Sequence, residues 1–304
     1  MSNDSLMRLG VTIAVILGSI LYGFITMSLS RRITARVQNR VGPPLKQPFI
    51  DVIKLYSKRT MVSHGIMQTL GPIFMLTGVI STLVLIPYIA GDGYLSLYSH
   101  NADLITILYV MTFGSLAMAL AIGQSGNPYG TIGVARGLTR MLGYELPLLL
   151  ALVSLIIING SADVNVIIKS QQGGFLHWNA FQHPVVGITA LLALLGMMGS
   201  QPFDNPGAPA EVASGPMGEW GGKFMAIMMT SHAMFVVAKL VLLVGLFFGG
   251  ASNLFILAIK IFLLYLYPLF VSLVFPRFAM EDTFLFFWKW PAFIGFIGLA
   301  ISIW

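Results

Sequence analysis

Long apolar runs separated by short polar stretches extend along the whole chain. A bilayer core requires about 20 apolar residues in a helix, and eight runs meet or approach that length. They cover approximately residues 8–29, 66–90, 103–124, 138–160, 184–201, 224–248, 252–275 and 285–304. The pattern predicts an all-α integral membrane bundle of about eight transmembrane helices, with residues 1–304 forming a single membrane domain. We expect the fifth helix to be the shortest.

The largest polar stretch, residues 30–65, lies between the first two runs and is called the basic loop. It contains eight basic side chains and one acid, Asp51. Within it, apolar side chains recur at helical spacing, at Phe49, Val52, Ile53 and Tyr56. This spacing predicts a short amphipathic helix that lies on the membrane surface.

The basic side chains also predict the orientation of the chain. Their excess in the basic loop places that loop in the cytoplasm of a multi-pass protein of the plasma (inner) membrane. Alternation of the crossings then places loops 125–137, 202–223 and 276–284 on the same side. Both termini are expected outside.

Composition excludes several classes of protein. The chain is 57% hydrophobic and only 9% charged, whereas soluble domains carry about 25% charged residues. The net charge of +6 is concentrated in the basic loop, which favours a topological role over nucleic-acid binding. The absence of cysteine excludes a disulfide scaffold and an iron–sulfur cluster held by this chain. The histidines lack ligand-like spacing, so we expect no metal site.

Four ionisable side chains fall inside the apolar runs: Glu145, His232, Lys239 and Lys260. Intramembrane charge is costly, and such residues are by default candidates for function. Glu145 is expected seven residues into the fourth helix. Lys239, beyond the bilayer midplane, must pair, line a hydrated cavity or be neutral.

Structural alternatives remain open for these residues. Lys239 could form an ion pair with Glu145 or with a loop acid. Lys260 could extend toward its nearer membrane surface, and His232 could bond a neighbouring carbonyl.

Residues 202–223, called the acidic loop, carry three of the chain's 11 acids among prolines and glycines. These acids are Asp204, Glu211 and Glu219. They could be solvated and inert. A packed turn would instead give carboxylates with raised pKa values, which can relay protons.

Four segments carry a resemblance to a known family. The first is Ser30-Arg-Arg-Ile-Thr-Ala-Arg-Val-Gln-Asn-Arg-Val-Gly-Pro-Pro, followed by Gln47-Pro-Phe-Ile-Asp-Val-Ile-Lys-Leu. The second is Gly143-Tyr-Glu-Leu. The third is the acidic loop, with Pro202-Phe203-Asp204, Glu211, Gly215, Glu219-Trp220 and Gly222. The closing segment contains Pro276-Arg-Phe-Ala-Met-Glu, Trp288-Lys289 and Pro291.

The chain resembles the membrane protein that forms much of the quinone chamber of respiratory complex I, which in mitochondria is NADH dehydrogenase subunit 1. It is similar as well to the equivalent membrane anchor of energy-converting membrane-bound hydrogenases and formate hydrogenlyase. It departs from the complex I pattern at Gly207 and Pro209, where further glutamates are usual, and at Ser30, Ala279 and Glu281. The acidic loop thus has fewer acids than is usual in complex I, which favours the hydrogenase-like, ferredoxin-driven branch of the family.

The resemblance implies a non-catalytic anchor and coupling subunit in a redox-driven pump for protons or sodium ions. Its partners would be peripheral hydrogenase-like large and small subunits, which carry iron–sulfur clusters and possibly NiFe, together with antiporter-like membrane subunits and lipid. No cofactor is expected in this chain. Two alternatives remain: a quinone-chamber subunit of an NADH:quinone oxidoreductase and a stand-alone secondary ion transporter.

The resemblance also divides the charged residues into two sets. An ion pathway and coupling role is expected for Glu145, Asp204, Glu211, Glu219 and Lys239. Docking of the peripheral arm is expected for Arg32, Arg36, Gln38, Arg40, Asp51, Lys54, Arg136, Arg140 and Arg277.

Overall fold

The computed structural model describes residues 3–60, 65–89, 95, 103–124, 126–207, 209–213, 215–218 and 220–304. These residues form an all-α bundle. The helices are α1 (Asn3–Val37), α2 (Gln47–Ser57), α3 (Gly65–Leu85), α4 (Leu104–Gly123), α5 (Pro128–Asn159), α6 (Val164–Ser170), α7 (Asn179–Gln182), α8 (Pro184–Met198), α9 (Pro209–Val212), α10 (Gly222–Phe247), α11 (Leu254–Val274), α12 (Met280–Lys289) and α13 (Pro291–Ile303). Glu219, one of the predicted coupling acids, lies outside the described residues.

The apolar runs form the predicted bundle. Among the described residues, seven helical segments are long and apolar enough to cross a membrane, and α12 and α13 together form one of them. The fifth run forms α8, which has 15 residues and is the shortest, as predicted. Pro291 follows the end of α12, and its missing backbone N–H explains the division of the last segment.

Two predicted boundaries are wrong because helices extend into polar sequence. α1 continues to Val37, so the basic loop begins with helix. α5 begins at Pro128, where the Asn127 side chain accepts a hydrogen bond from the Tyr129 amide at 3.0 Å. This cap and the proline in the first turn start the helix about ten residues earlier than hydropathy indicates. Glu145 therefore lies near the middle of a 32-residue helix.

The predicted surface helix is present as α2, but its apolar side chains point in two directions. Val52 is buried, and Phe49 packs edge-on against Phe24 of α1 with ring centroids 5.1 Å apart. Ile53 and Tyr56 remain 71% and 46% exposed. Part of the apolar side of this helix therefore packs against α1 and α10, and the rest stays exposed.

α10 is the central helix of the bundle. It packs against α1, α2, α3 and α11, and every residue from Leu240 to Phe247 is buried. A helix that is apolar on all sides must be enclosed by other helices. Lys239 and His232 therefore enter the interior on the same element.

The pair α3–α4 makes the most extensive contact between helices. Gly78 of α3 meets Gly114 of α4 so closely that a Cβ on Gly78 would lie 2.8 Å from the Gly114 Cα. Small residues allow membrane helices to approach until their backbones touch.

The C-terminal end of α10 is held by polar side chains. Gln171 Nε2 donates to the carbonyls of Gly245 and Leu246 at 3.0 Å. Lys260 Nζ donates to the carbonyls of Phe248 and Gly250 at 2.7 Å and lies 4.1 Å from the centroid of the Trp178 ring. The last carbonyls of a helix lack partners within the helix, so Gln171 satisfies those of α10, and Lys260 satisfies those of the turn that follows. Lys260 thus has a structural role.

Candidate functional site

The acidic loop is anchored at its start by an aromatic cluster. Phe203 is almost fully buried, and its ring centroid lies 4.7 Å from that of Phe287 and 5.7 Å from that of Phe278. The Phe278 amide donates to the Pro202 carbonyl at 3.0 Å. The loop is therefore packed against the segment that joins α11 to α12, and is not free surface.

Asp204 is held by a cation from that same segment. Arg277 Nη2 donates to Asp204 Oδ2 at 3.1 Å, and both side chains are partly buried. Burial raises the pKa of the Asp204 carboxyl above its ordinary value, whereas Arg277 and Arg140 act in the opposite direction. Asp204 is thus a carboxylate whose proton affinity depends on its packing.

Glu211 is bound to α5 instead. Arg136 Nη1 donates to Glu211 Oε2 at 2.5 Å, and the Glu211 side chain remains 51% exposed. α9, which carries Glu211, is thereby tied to the beginning of the long helix. An ion pair this exposed contributes little to stability.

Arg140 lies where α5 meets the turn that ends α8. Its Nη1 donates to the Phe203 carbonyl at 3.2 Å. Gly199, at φ +61°, adopts a left-handed conformation there, and a Cβ on it would collide with the guanidinium. Arg140 also lies within electrostatic reach of Asp204, Lys239 and His232.

Lys239 has a backbone partner. Its Nζ donates to the Met197 carbonyl at 2.6 Å, near the end of α8, where helix carbonyls are free. It lies 5.6 Å from the centroid of the Phe235 ring. In the described part of the chain, no carboxylate lies within salt-bridge distance of Lys239. The alternative of an ion pair with Glu145 is therefore wrong.

Arg140, Asp204 and Lys239 line one cavity of about 210 Å³ between α3, α4, α5, α8, α10 and the acidic loop. His232 exposes its ring to this cavity. The polar side chains of the lining include Arg140, Tyr144, Asp204, His232 and Lys239. Much of the remaining wall is methionine: Met75, Met118, Met141, Met197, Met198 and Met217. The cavity is thus apolar in its walls and charged where α5, α8 and α10 meet.

Glu145 is not part of this lining. It is half-buried on α5, between Leu142 and Leu149, which are 60% and 40% exposed. It forms no hydrogen bond or ion pair with another described residue. Glu145 therefore lies beside an outward-facing strip of α5, apart from the charged end of the cavity.

The predicted docking residues fall into two groups. Exposed side chains on or near the basic loop are Arg32, Arg36, Gln38, Arg40 and Lys54. Asp51 accepts a hydrogen bond from Gln47 Nε2 at 2.8 Å and lies 3.9 Å from Arg31 Nη1. Arg136, Arg140 and Arg277, in contrast, are bound to the acidic loop of the same chain.

The two charged loops meet at one end of the bundle. Gly222, at φ +55°, lies so close to the basic loop that a Cβ on it would be 2.9 Å from the Arg59 carbonyl oxygen. Gln38 and Gln201 line a polar groove of about 390 Å³ beside the end of α11. The basic and acidic surfaces are therefore continuous.

Sequence reasoning did not identify the methionine walls or the pairing of Asp204 with Arg277. The methionines belong to five different segments, so no local pattern connects them. For the ion pair a signal was available, because alternation placed Asp204 and Arg277 in loops on the same side of the membrane.

Comparison with known proteins agrees with this architecture. The sequence profile described as NADH dehydrogenase matches residues 9–303. The chain is 31% identical to the H subunit of the F(420)H(2) dehydrogenase of Methanosarcina mazei, over 78% of this chain and 71% of the relative. It is 27% identical to the H subunit of the NADH-quinone oxidoreductase of Desulfotalea psychrophila, over 90% and 88% respectively.

A solved structure is similar over nearly its full length. The structure of the archaeal membrane-bound sulfane sulfur reductase, a respiratory membrane complex, contains a chain that matches with a TM-score of 0.91 and 32% sequence identity. The match covers 97% of this chain and 99% of that one. This chain therefore belongs to the NADH dehydrogenase family of multi-pass membrane subunits.

Proposed function

We propose that this chain is the membrane-embedded anchor and coupling subunit of a multisubunit, redox-driven ion pump. The proposal rests on one observation: the basic loop and the acidic loop are in contact, and the acidic loop lines a charged cavity. The acidic loop contacts the basic loop at Gly222, is tied to α5 through Glu211, and contributes Asp204 to the cavity. Relatives named as subunits of membrane complexes support a role within an assembly.

The exposed side chains of the basic loop fit the docking of a peripheral arm. Arg32, Arg36, Arg40 and Lys54 carry positive charge, and their side chains are exposed, so they can meet an acidic partner surface. In this proposal the arm holds the iron–sulfur clusters and is hydrogenase-like in organisation, and antiporter-like subunits lie beside the bundle in the membrane. The chain would cross the plasma membrane with both loops in the cytoplasm and both termini outside.

Coupling would begin at the acidic loop. A change of charge in the arm would alter the electrostatic interaction of Asp204 with two cations. Arg277 is hydrogen-bonded to Asp204, and Arg140 is within electrostatic reach of it. Because Asp204 lines the cavity and Glu211 is bonded to α5, such a change would reach the helix that carries Glu145. Protons or sodium ions would then move along a path that includes Glu145.

Two observations bear on the electron acceptor. Gly207 lines the cavity where complex I relatives carry a further acid, and the similar solved structure is a sulfane sulfur reductase. Both favour an arm that does not reduce a membrane quinone. The relatives that belong to NADH-quinone oxidoreductases support quinone reduction as the second candidate.

The test is purification of the complex from native membranes by a tag on this chain. Iron–sulfur and antiporter-like proteins should co-purify, and quinone-site inhibitors should leave the activity of the complex unchanged. Recovery of the chain alone or as a homo-oligomer would contradict the proposal and favour a secondary transporter. Inhibition by quinone-site ligands would support the quinone candidate.

A further inference from the structure

A groove of about 550 Å³ lies between α1 and α11 on the side of the bundle away from the charged cavity. Its floor is α10, at Val237 and Val241, and α1 lines it from Met7 to Tyr22. This part of α1 is about 22 Å long at 1.5 Å per residue, whereas half of the hydrocarbon core of a bilayer is only about 15 Å thick. The groove is therefore long enough to reach from one membrane surface past the bilayer midplane.

The groove ends where α1 comes into contact with its neighbours. The Tyr22 hydroxyl donates a hydrogen bond to the Ala258 carbonyl of α11 at 2.6 Å. The next residue, Gly23, lies so close to α10 that a Cβ on it would be 2.6 Å from the Ala233 carbonyl oxygen. The deep end of the groove is thus closed by the protein itself.

The walls of the groove are apolar. Most of the lining side chains are aliphatic, Ser19 is buried, and the Tyr22 hydroxyl already has its carbonyl partner. A Cβ on Gly18, in the middle of the groove, would meet nothing within 4 Å. Apolar cavities of proteins stay free of water, and unfilled space forfeits dispersion contacts. An apolar occupant is therefore expected in the bilayer.

Arg8 lies on the face of α1 that borders the groove. It precedes Val11 by three residues and Val15 by seven, and both valines line the groove, so helical periodicity places all three on one face. The Arg8 side chain is exposed. A guanidinium has five donors, so even a bond to Asp4, one turn earlier in the sequence, would leave donors available.

The position of Arg8 along α1 matches a membrane surface. The apolar residues 9–30 follow it directly, and about 20 residues are enough to cross the hydrocarbon core. Arg8 therefore lies at the level of the lipid head groups, at the end of α1 opposite the basic loop. A cation at that level is complementary to a lipid phosphate.

The volume of the groove favours a lipid chain over a helix. A helix with its side chains is about 10 Å wide, so a 22 Å length of helix occupies on the order of 1,700 Å³. That is about three times the 550 Å³ of the groove. Ala14 and Gly18, which line the groove, are small enough to admit a helix of another subunit, so this occupant is an outcome of the test.

We infer that the groove is a phospholipid-binding site. One hydrocarbon chain lies between α1 and α11 on the floor of α10, and the lipid phosphate accepts hydrogen bonds from the Arg8 guanidinium. The site is independent of the proposed coupling function, because it follows from the shape and apolar walls of the groove. It is also independent of the proposed orientation, because Arg8 lies at a membrane surface in either case.

The test uses the complete complex in nanodiscs of phosphatidylglycerol whose chains carry bromine. A cryo-electron microscopy map should show elongated density in the groove, with bromine signal along it and a phosphate within hydrogen-bond distance of Arg8. Gly18→Leu should abolish this density, because the larger side chain fills open space that no protein atom occupies. Gly10→Leu is the matched control, since Gly10 also has open space around it but does not line the groove.

Native mass spectrometry of the detergent-solubilised complex tests the phosphate contact. The number of phosphatidylglycerol molecules retained should be lower by one in Gly18→Leu than in the wild type, and this difference reports the groove. Arg8→Gln should raise the half-saturating lipid concentration of that component about tenfold, since a charge-assisted hydrogen bond is lost. Arg8→Lys should restore most of the affinity. Lys169→Gln, which removes an exposed cation outside the groove, should have no effect.

Four results would overturn the inference. They are a helix of another subunit in the groove, a groove without density, a density that Gly18→Leu leaves unchanged, and equal lipid affinity in Arg8→Gln and the wild type. The wild-type map decides alone if Gly18→Leu does not assemble. Loss of ion pumping with intact lipid binding would concern only the proposed coupling function.

Discussion

Arg277 donates to Asp204 at 3.1 Å, across 73 residues of sequence. The pair joins the first acid of the acidic loop to the segment that precedes α12. Because Phe203 packs against Phe278 and Phe287 at the same point, the carboxylate cannot leave its cation without disturbing an aromatic core. The position of the Asp204 carboxyl is therefore fixed in an otherwise irregular loop.

Stability should depend on pH through Asp204. Burial raises the pKa of this carboxyl from 3.8, so the folded protein binds its proton more tightly than the unfolded chain does. The resulting stabilisation is complete below the unfolded pKa and is lost as the pH rises through the folded pKa. Thermal midpoints of the complex measured from about pH 4 upward should show this loss, and Asp204→Asn should abolish it. Identical pH profiles for the two proteins would refute the assignment.

Glu145→Gln should abolish ion uptake by membrane vesicles while electron transfer continues. The carboxylate is half-buried in the middle of α5 and has no partner among the described residues, so its charge is available to a mobile ion. Ion uptake and electron transfer are measured on the same vesicles, and Leu149→Ala, one turn away, is the control. Unchanged uptake in Glu145→Gln would exclude Glu145 from the pathway.

Glu211→Gln should lower turnover without releasing the arm. The Arg136–Glu211 pair is exposed, so its loss should cost only about 0.2–1 kcal/mol of stability. Arg136→Gln should have the same effect on turnover, and the double variant should be no worse than either single variant. Additive effects would mean that the two residues act separately.

Gly78→Ala should destabilise the bundle by about 1–3 kcal/mol, because the added methyl group enters a backbone contact with Gly114. Gly10→Ala is the control, since a Cβ on Gly10 meets nothing within 4 Å. Thermal midpoints in detergent provide the comparison. Equal midpoints for the two variants would show that α3 and α4 can separate.

The proposed orientation can be tested in a chain that has no cysteine of its own. Ser57→Cys lies at the end of α2, and Lys169→Cys lies near the end of α6; both positions are exposed. In intact cells, a membrane-impermeant maleimide should label Lys169→Cys, whereas Ser57→Cys should react only after lysis. The reverse pattern would invert the topology.

Local signals in the sequence predicted the helices well. Long apolar runs showed where the membrane helices lie, and the recurrence of apolar residues about every 3.6 positions identified α2. Both signals are contained in residues that are close together in the sequence. The start of α5 was missed, since the apolar run begins only at about residue 138, although Asn127 and Pro128 carried a start signal.

The site was predicted less completely, because its geometry depends on contacts between distant segments. The sequence identified Asp204, Glu211 and Lys239 as special, but their partners are an arginine after α11, an arginine on α5 and a carbonyl of α8. None of these follows from spacing. The role of Glu219 stays a prediction.

The hydrogen bonds from Gln171 and Lys260 at the C-terminal end of α10, called the polar clamp, restrict the movement of that helix. Gln171 bonds its last carbonyls and Lys260 bonds those of the turn that follows, whereas its first residue, Gly222, belongs to the acidic loop. Sliding along the axis would break the clamp, but a tilt about the clamped end would preserve it. The C-terminal end of α10 is thus its anchored end, and Lys239 and His232 lie between that end and the acidic loop.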